Sequence, residues 1–276
     1  MSHNSIEFFA KYIEKETGIV FQDINLYQLK TRLEEIVERE KAGSVDQLCA
    51  KFQMSLVDSG LKQRLLDHST NNETLFFRDP AFFSGIENFI IKEVLPHHPK
   101  EIKIWSAAAS TGQEALSVAM VLDELSKKIF LPPVSIMATD LSRRAINRAK
   151  SGIYNDFEVR RGLSDERRNN YFTKESDGWH VKPSIHQKIK FDYNNLIQST
   201  VNESFHLILC RNVLIYQKVE MKKMVIESLY RQLDNNGGIL LGVGETLLGI
   251  RENVESSMIG NVIFYKKTNS SIKKTA

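Results

Sequence analysis

Ile102-Lys-Ile-Trp-Ser-Ala-Ala-Ala-Ser-Thr-Gly-Gln-Glu114 is followed, after one amphipathic stretch, by Val134-Ser-Ile-Met-Ala-Thr-Asp140. Each begins as a short apolar run and ends in small or polar residues. Each leads into a helical pattern, over residues 113–128 and about 142–150. Short apolar runs bounded by turn residues read as buried strands, and strand–helix–strand–helix implies parallel strands joined by crossover helices. Phe205-His-Leu-Ile-Leu-Cys210 repeats the pattern, with a long helix to about residue 233. Asn235-Asn-Gly-Gly238 reads as a turn into a strand at 239–243, and residues 261–266 as a last strand that pairs antiparallel with it. An edge strand of that kind is compatible with a mostly parallel sheet. The fold class is therefore α/β.

Outward from this sheet the pattern changes. Residues 5–68 read as helix throughout. Ile6, Phe9 and Ile13 recur at helical spacing, and Leu26, Leu29, Leu33, Ile36 and Val37 make one stripe among charged residues. His68-Ser-Thr-Asn-Asn-Glu-Thr-Leu-Phe-Phe-Arg-Asp-Pro80 then turns from small polar residues to a helix start, with Asp79 expected as N-cap and Pro80 at the first helical position. Residues 171–195 look like short strands around an Asp177-Gly178 turn. The expected organisation is a helical domain 1–68, a linker 69–80, an α/β domain 81–268 with a β-subdomain at about 171–193, and a flexible basic tail 269–276.

The 276 residues are 42% hydrophobic and 26% charged, which allows a buried core and a wetted surface. Cys49 and Cys210 lie far apart and form no CxxC pair, which argues against a disulfide framework or a cysteine zinc site. No apolar run reaches the roughly 18–20 residues that span a bilayer. The opening MSHNSIEFFAKYIEKE alternates apolar and charged groups, unlike a secretory signal. A cytoplasmic monomer, not inserted in a membrane, is expected. The net charge of +3 is unevenly placed: residues 1–68 hold nine Lys/Arg against eleven Asp/Glu, whereas Lys266, Lys267, Lys273 and Lys274 crowd the end. Basic charge confined to an end is not the clustered, structured patch that nucleic acid requires, so no nucleic-acid partner is expected.

In an open parallel sheet, ligands bind beyond the carboxyl ends of the strands. Three such ends carry polar groups here: Ser110-Thr-Gly-Gln-Glu114, Asp140, and Cys210-Arg-Asn212. The first loop has only Gly112 in place of a full glycine-rich fingerprint, so a pyrophosphate cradle is poorly supported. Asp140 is placed to accept hydrogen bonds from a ribose diol, or alternatively to cap the helix after it; spacing alone leaves both readings open. Together these features point to a nucleoside cofactor that lacks a pyrophosphate. S-adenosylmethionine fits that description better than NAD.

Five strings carry a closer resemblance: Asn72-Glu-Thr-Leu-Phe-Phe-Arg78, Trp105 through Glu114, Ala138-Thr-Asp140 with Ser151-Gly-Ile-Tyr154, Asn195-Leu196, and Cys210-Arg-Asn-Val-Leu-Ile-Tyr216. In that order they resemble the CheR chemotaxis-receptor methyltransferases over nearly the whole chain. The resemblance implies a Rossmann-like class I S-adenosylmethionine-dependent methyltransferase sheet with a small β-subdomain, preceded by an all-α N-terminal domain. It implies methyl transfer from S-adenosylmethionine to glutamate side chains on cytoplasmic signalling helices of chemotaxis receptors, which yields glutamyl methyl esters and S-adenosylhomocysteine. It assigns Asn72, Thr74 and Arg78 to the cofactor, Glu114 and Asp140 to its amino-acid end and ribose in unassigned order, Asn195 and Leu196 to the adenine, and Arg211 and Asn212 to the rest of the pocket. Arg78 and Tyr216 would lie nearest the transferable methyl, and no metal is implied. Leu75 and Gln113 depart from the usual residues.

Relatives that dock on a receptor's C-terminal pentapeptide carry an extra Gly-x-Gly stretch in the β-subdomain. Here only Thr-Lys-Glu-Ser-Asp-Gly separates Phe172 from Trp179, which resembles the pentapeptide-independent type. The helix near 26–41, often basic in relatives, balances four Lys/Arg against four Glu. The chemistry needs no general base, because a glutamate with a pKa of about 4.3 is already ionised at neutral pH. The protein must mainly align the reactants. Cys210 and the histidines 68, 180 and 206 read as structural or exposed. The competing readings are a methyltransferase for another protein or small molecule, and a non-catalytic cofactor-binding signalling scaffold.

Overall fold

A computed structural model of the chain describes residues 1–21, 25–252 and 254–267. Four helices come first: α1 (His3–Thr17), α2 (Leu26–Arg39), α3 (Val45–Gln53) and α4 (Ser59–Ser69). The side chains of Ser2, Ser44 and Asp58 cap α1, α3 and α4 by accepting from the main-chain N–H groups of Ser5, Gln47 and Leu61. The apolar stripes converge on a core of their own, with Phe9, Ile13, Leu29, Leu33 and Leu48 fully buried.

The rest alternates strands and helices: α5 (Pro80–Phe89), β1 (Ile102–Ser106), α6 (Gln113–Ser126), β2 (Val134–Asp140), α7 (Arg143–Ser151), β3 (Ile153–Tyr154), α8 (Asp156–Arg160), α9 (Asp165–Tyr171), β4 (Phe172–Glu175), β5 (Gly178–Val181), α10 (Pro183–His186), β6 (Ile189–Tyr193), β7 (Phe205–Cys210), α11 (Val219–Gln232), β8 (Leu233–Leu241), β9 (Val254–Ile259) and β10 (Val262–Lys267). Seven strands form one sheet in the order β6-β2-β1-β7-β8-β10-β9. The strands from β6 to β8 are parallel, and β10 runs antiparallel to both β8 and β9. This is the α/β fold of class I S-adenosylmethionine-dependent methyltransferases. Strand order reverses at β1, with β2 on one side and β7 on the other, so a crevice opens above their carboxyl ends.

Side-chain alternation on β1 feeds two cores. Ile102 and Ile104 pack with Phe83, Phe89, Leu116 and Ala119 from α5 and α6. Trp105 points the other way, among Val225, Ile226 and Leu229 of α11, and its indole N–H donates to Thr139 Oγ1 at 2.9 Å. Burying an indole is favourable only when that N–H finds an acceptor, and Thr139 supplies one from the neighbouring strand.

The structure corrects several expectations. The segment 189–193 is not part of a β-excursion; it is β6, paired in parallel register with β2 at the sheet edge. Ile189 and Phe191 face inward while Lys190 and Asp192 stay wet. The small sheet, ordered β3-β5-β4, recruits Ile153–Tyr154 instead. Asn235–Gly238 is not a turn, because β8 begins directly after α11 and absorbs these residues in a bulge against β7. A strand not anticipated, β9, covers the far edge of β10. Lys266 and Lys267 belong to β10 rather than to a tail, and Lys266 pairs with Glu93. The expected tail 269–276 lies outside the described residues. No helix among the described residues is long and apolar enough to cross a membrane.

Candidate active site

Two adjoining cavities open above β1, β2 and β7, with Asn71, Ala108, Asp140, Asn212 and Val213 on the walls of both. The first is also lined by Thr74, Arg78, Glu114 and Arg211. The second adds Asn72, Asn195, Leu196 and Tyr216, with Asn194 and Gln217. Every residue singled out from the sequence thus lies on one of the two walls. Arg78 and Tyr216 line different cavities. Asn71, which sequence reasoning missed, lies on both and donates from Nδ2 to the Tyr216 hydroxyl at 3.4 Å.

The loop between β1 and α6 is shaped by backbone constraint. Gly112 has φ 95°, and a Cβ there would approach Ala149 and the Tyr154 hydroxyl at 3.0 and 3.1 Å, so only glycine fits. Tyr154 donates to Thr111 O at 2.7 Å and meets Phe76 edge-on, which ties the loop to the segment 69–80. Ser110 Oγ donates to Asn72 O at 2.7 Å, and Phe77 N–H to Ser117 Oγ at 3.0 Å. Phe77, Asp79, Ser110 and Asn212 all have φ between 50° and 60°. Left-handed backbone is rare outside glycine and gathers where a surrounding structure imposes it, commonly at ligand sites.

Asp140 resolves the question left by its spacing. Ser142 caps α7, its Oγ accepting from Ala145 N–H. Asp140 instead bridges two loops, Oδ2 accepting from Ser110 N–H and Oδ1 from Ser142 N–H, both at 2.8 Å. It is 8% exposed, and burial pushes its carboxyl above the usual carboxylate range, with the two amides opposing that shift. A carboxylate has about four acceptor positions, so it retains capacity for a diol.

Asp79 also departs from expectation. It makes no side-chain cap for α5; its carboxylate faces Arg211 Nη2 at 2.6 Å. Arg211 is 8% exposed and donates as well to Arg78 O and to Glu114 Oε2, each at 3.1 Å, with its guanidinium over the Phe82 ring. Ser106 Oγ donates to the other Glu114 oxygen at 2.7 Å. Arg211 is therefore held by its neighbours. The Arg78 guanidinium makes no ion pair or hydrogen bond among the described residues, which leaves its charge available to the first cavity. Cys210 is fully buried, and burial pushes its thiol well up, consistent with a packing role.

The N-terminal helices complete the second cavity. Thr17 and Ile19 line it. Val20 N–H donates to Tyr216 O at 2.9 Å, Ile19 bridges Gln217, and Asn195 Nδ2 donates to Glu16 O at 2.7 Å. Two buried polar atoms on this wall have no hydrogen-bond partner among the described residues: Asn194 Nδ2, a donor, and Gln217 Oε1, an acceptor. That pair complements the ring-nitrogen acceptor and exocyclic amino donor of adenine. With Asp140 alongside and the small Ala108 between the cavities, the donor set fits an adenosyl group.

Comparison with known proteins gives the family. Residues 72–262 match the family model described as CheR methyltransferase, SAM binding domain. The chain is 32% identical over 274 residues to the chemotaxis protein methyltransferase Cher2 of Pseudomonas putida, covering 96% of this chain and 99% of that one. It is 36% identical over 262 residues to a chemotaxis protein methyltransferase of Vibrio parahaemolyticus, covering 94% of each. The crystal structure of magnesium protoporphyrin IX methyltransferase from Synechocystis PCC 6803 with bound SAH aligns with a TM-score of 0.33 at 12% identity, covering 67% of this chain and 59% of that one. The matched family model makes the chain an S-adenosylmethionine-dependent methyltransferase. The chain belongs to the CheR family of chemotaxis protein methyltransferases.

Proposed function

We propose that the two cavities form one cofactor cleft and that the substrate is a glutamate on a cytoplasmic signalling helix of a chemotaxis receptor, reached without a pentapeptide tether. What carries this reading is that ten residues scattered from Asn72 to Tyr216 converge on two cavities sharing a wall above the sheet's switch point. On this reading Asn194, Asn195, Leu196 and Gln217 surround the base and Asp140 takes the ribose. Glu114, Arg78 and Arg211 hold the charged amino-acid end, with Thr74 and Asn72 on the flanking wall. S-adenosylmethionine, when bound, supplies an electrophilic methyl group that an already ionised glutamate accepts without a base.

This chain's own contribution is alignment and exclusion of water. Arg211, spoken for by Glu114 and Asp79, keeps the floor rigid. Arg78 orients a carboxylate through its unpaired charge, and Tyr216, fixed by Asn71 and by Val20, walls the opening. Held geometry of this kind supplies much of the barrier reduction in a two-reactant displacement. The β4–β5 hairpin supports pentapeptide independence, because only Ser176 and Asp177 connect its strands. The test is transfer of labelled methyl to receptor cytoplasmic fragments with and without a C-terminal pentapeptide. Equal, base-labile incorporation into both is expected. Base-stable label would refute the ester, and label only on the tethered fragment would refute independence.

A further inference from the structure

Glu245 belongs to none of the motifs that led to the site. It follows β8, and its carboxylate reaches back to the loop after β7. Oε2 accepts from the N–H groups of Asn212 and Gly242, both at 2.7 Å. Oε1 accepts from Val213 at 2.9 Å and Leu214 at 2.7 Å, with Ile215 N–H at 3.4 Å. Five main-chain donors therefore converge on one side chain. They can do so because Asn212 is left-handed at φ 59° while Val213 is right-handed, and such an alternation turns successive N–H groups into one concavity that suits an anion. A Cβ at Gly242 would lie 2.6 Å from Oε2 and 2.8 Å from Asn212 N, so the approach of the carboxylate depends on that glycine. The turn Leu214–Tyr216 begins where the carboxylate ends, and its last residue is Tyr216.

We infer that Glu245 is a positioning residue for methyl transfer: its carboxylate plugs the amide hollow at 212–215 and thereby sets Asn212 and Tyr216 against the cleft. It touches neither cavity itself. The inference rests on the reading of Tyr216 and Asn212 as cleft residues. In its absence four neighbouring N–H groups would lose their common acceptor, and the loop would sample other backbone states.

The decisive experiment compares Glu245→Ala, Glu245→Gln and Gly242→Ala with the parent in four measurements. These are amide hydrogen exchange at 212–215, S-adenosylhomocysteine affinity by calorimetry, single-turnover transfer to a receptor fragment, and the thermal midpoint. Loss of protection confined to 212–215 is expected in Glu245→Ala, with a single-turnover rate down about 100-fold, as a displacement near 1 Å can cause. Affinity should fall far less than rate, and added acetate, filling the hollow, should restore part of the rate. Glu245→Gln keeps one acceptor oxygen and should fall between. Unchanged protection would overturn the hollow. Lost protection with parental rate, or equal losses of rate and affinity, would overturn the positioning role. If Glu245→Ala does not fold, Glu245→Gln and Gly242→Ala decide on the same measurements. Failure of the parent to label any receptor fragment would strike the proposed substrate and leave the exchange result standing.

Discussion

Arg211 offers the sharpest test of the cleft's architecture. Its side chain is 4% exposed, against 14% for Glu114 and 37% for Asp79. Replacement by alanine removes three charge-assisted donors and leaves Glu114 a poorly solvated carboxylate with Ser106 as its remaining side-chain partner. Breaking a buried pair from one side costs about 3–5 kcal/mol. Asp79 regains water readily, so the loss should sit at the lower end, about 3 kcal/mol. Arg211→Lys keeps the charge but cannot span Glu114, Asp79 and the Arg78 carbonyl at once, so about half that loss is expected. The double variant Arg211→Met with Glu114→Gln isolates the contribution of the stranded Glu114 charge. It should recover about 1–2 kcal/mol relative to Arg211→Met alone, because the uncompensated charge is gone. Urea unfolding of the four variants and the parent measures each difference. An Arg211→Ala protein within 1 kcal/mol of the parent, or no recovery in the double variant, refutes the argument; the ~1 kcal/mol threshold is the net worth of one ordinary hydrogen bond.

Other outcomes follow from the same geometry. Asp140→Asn should weaken S-adenosylhomocysteine binding by roughly 1.5–3 kcal/mol, the worth of hydrogen bonds to a charged group, and unchanged calorimetric affinity would remove Asp140 from the diol site. Because burial raises the Asp140 pKa, the protonated form, which loses acceptor capacity, should appear on acidification at a higher pH than the ordinary Asp value of about 3.9. Affinity should therefore decline as pH falls through that raised value, and Asp140→Asn should lose this step; an identical pH profile in both proteins would refute the assignment. Tyr216→Phe should slow single-turnover transfer more than it changes cofactor affinity, and a parental rate would discard its role. Gly162→Ala should lower stability by more than about 1 kcal/mol, because the residue has φ 93° and a Cβ would overlap the Phe76 carbonyl. Since Phe76 lies between Thr74 and Arg78, cofactor affinity should fall as well, and a parental melting curve would refute the clash.

The central sheet was readable because β1, β2 and β7 are covered on both faces and so appear as continuous apolar runs. The two sheet edges were not. β6 exposes Lys190 and Asp192 between Ile189 and Phe191, a pattern shared with a hairpin strand, and β9 exposes Glu255, Ser256 and Met258 and buries only Ile259, so it shows no apolar run. Asp140 was visible as a strand-end acid, although its work of joining Ser110 to Ser142 needed coordinates. Glu114 and Arg211 are separated by 97 residues, and Asn71 and Tyr216 by 145, so no local pattern could pair them; motif likeness put Glu114, Arg211 and Tyr216 in one site without their contacts, and left Asn71 out. Asp79 misled because the acid-proline pair has a common capping use, which here yields to a buried guanidinium. Glu245 escaped notice because its partners are main-chain amides, which every residue possesses.

The staple between Val20 and Tyr216 makes the first helices a working part of the catalytic machine. A shortened protein beginning at residue 69 would keep every strand and helix of the sheet domain. It would nonetheless lose the floor contributed by Thr17 and Ile19 and the external brace on the tyrosine loop. Whatever fills the second cavity therefore touches the amino-terminal bundle as well as the sheet, and its affinity should report on both.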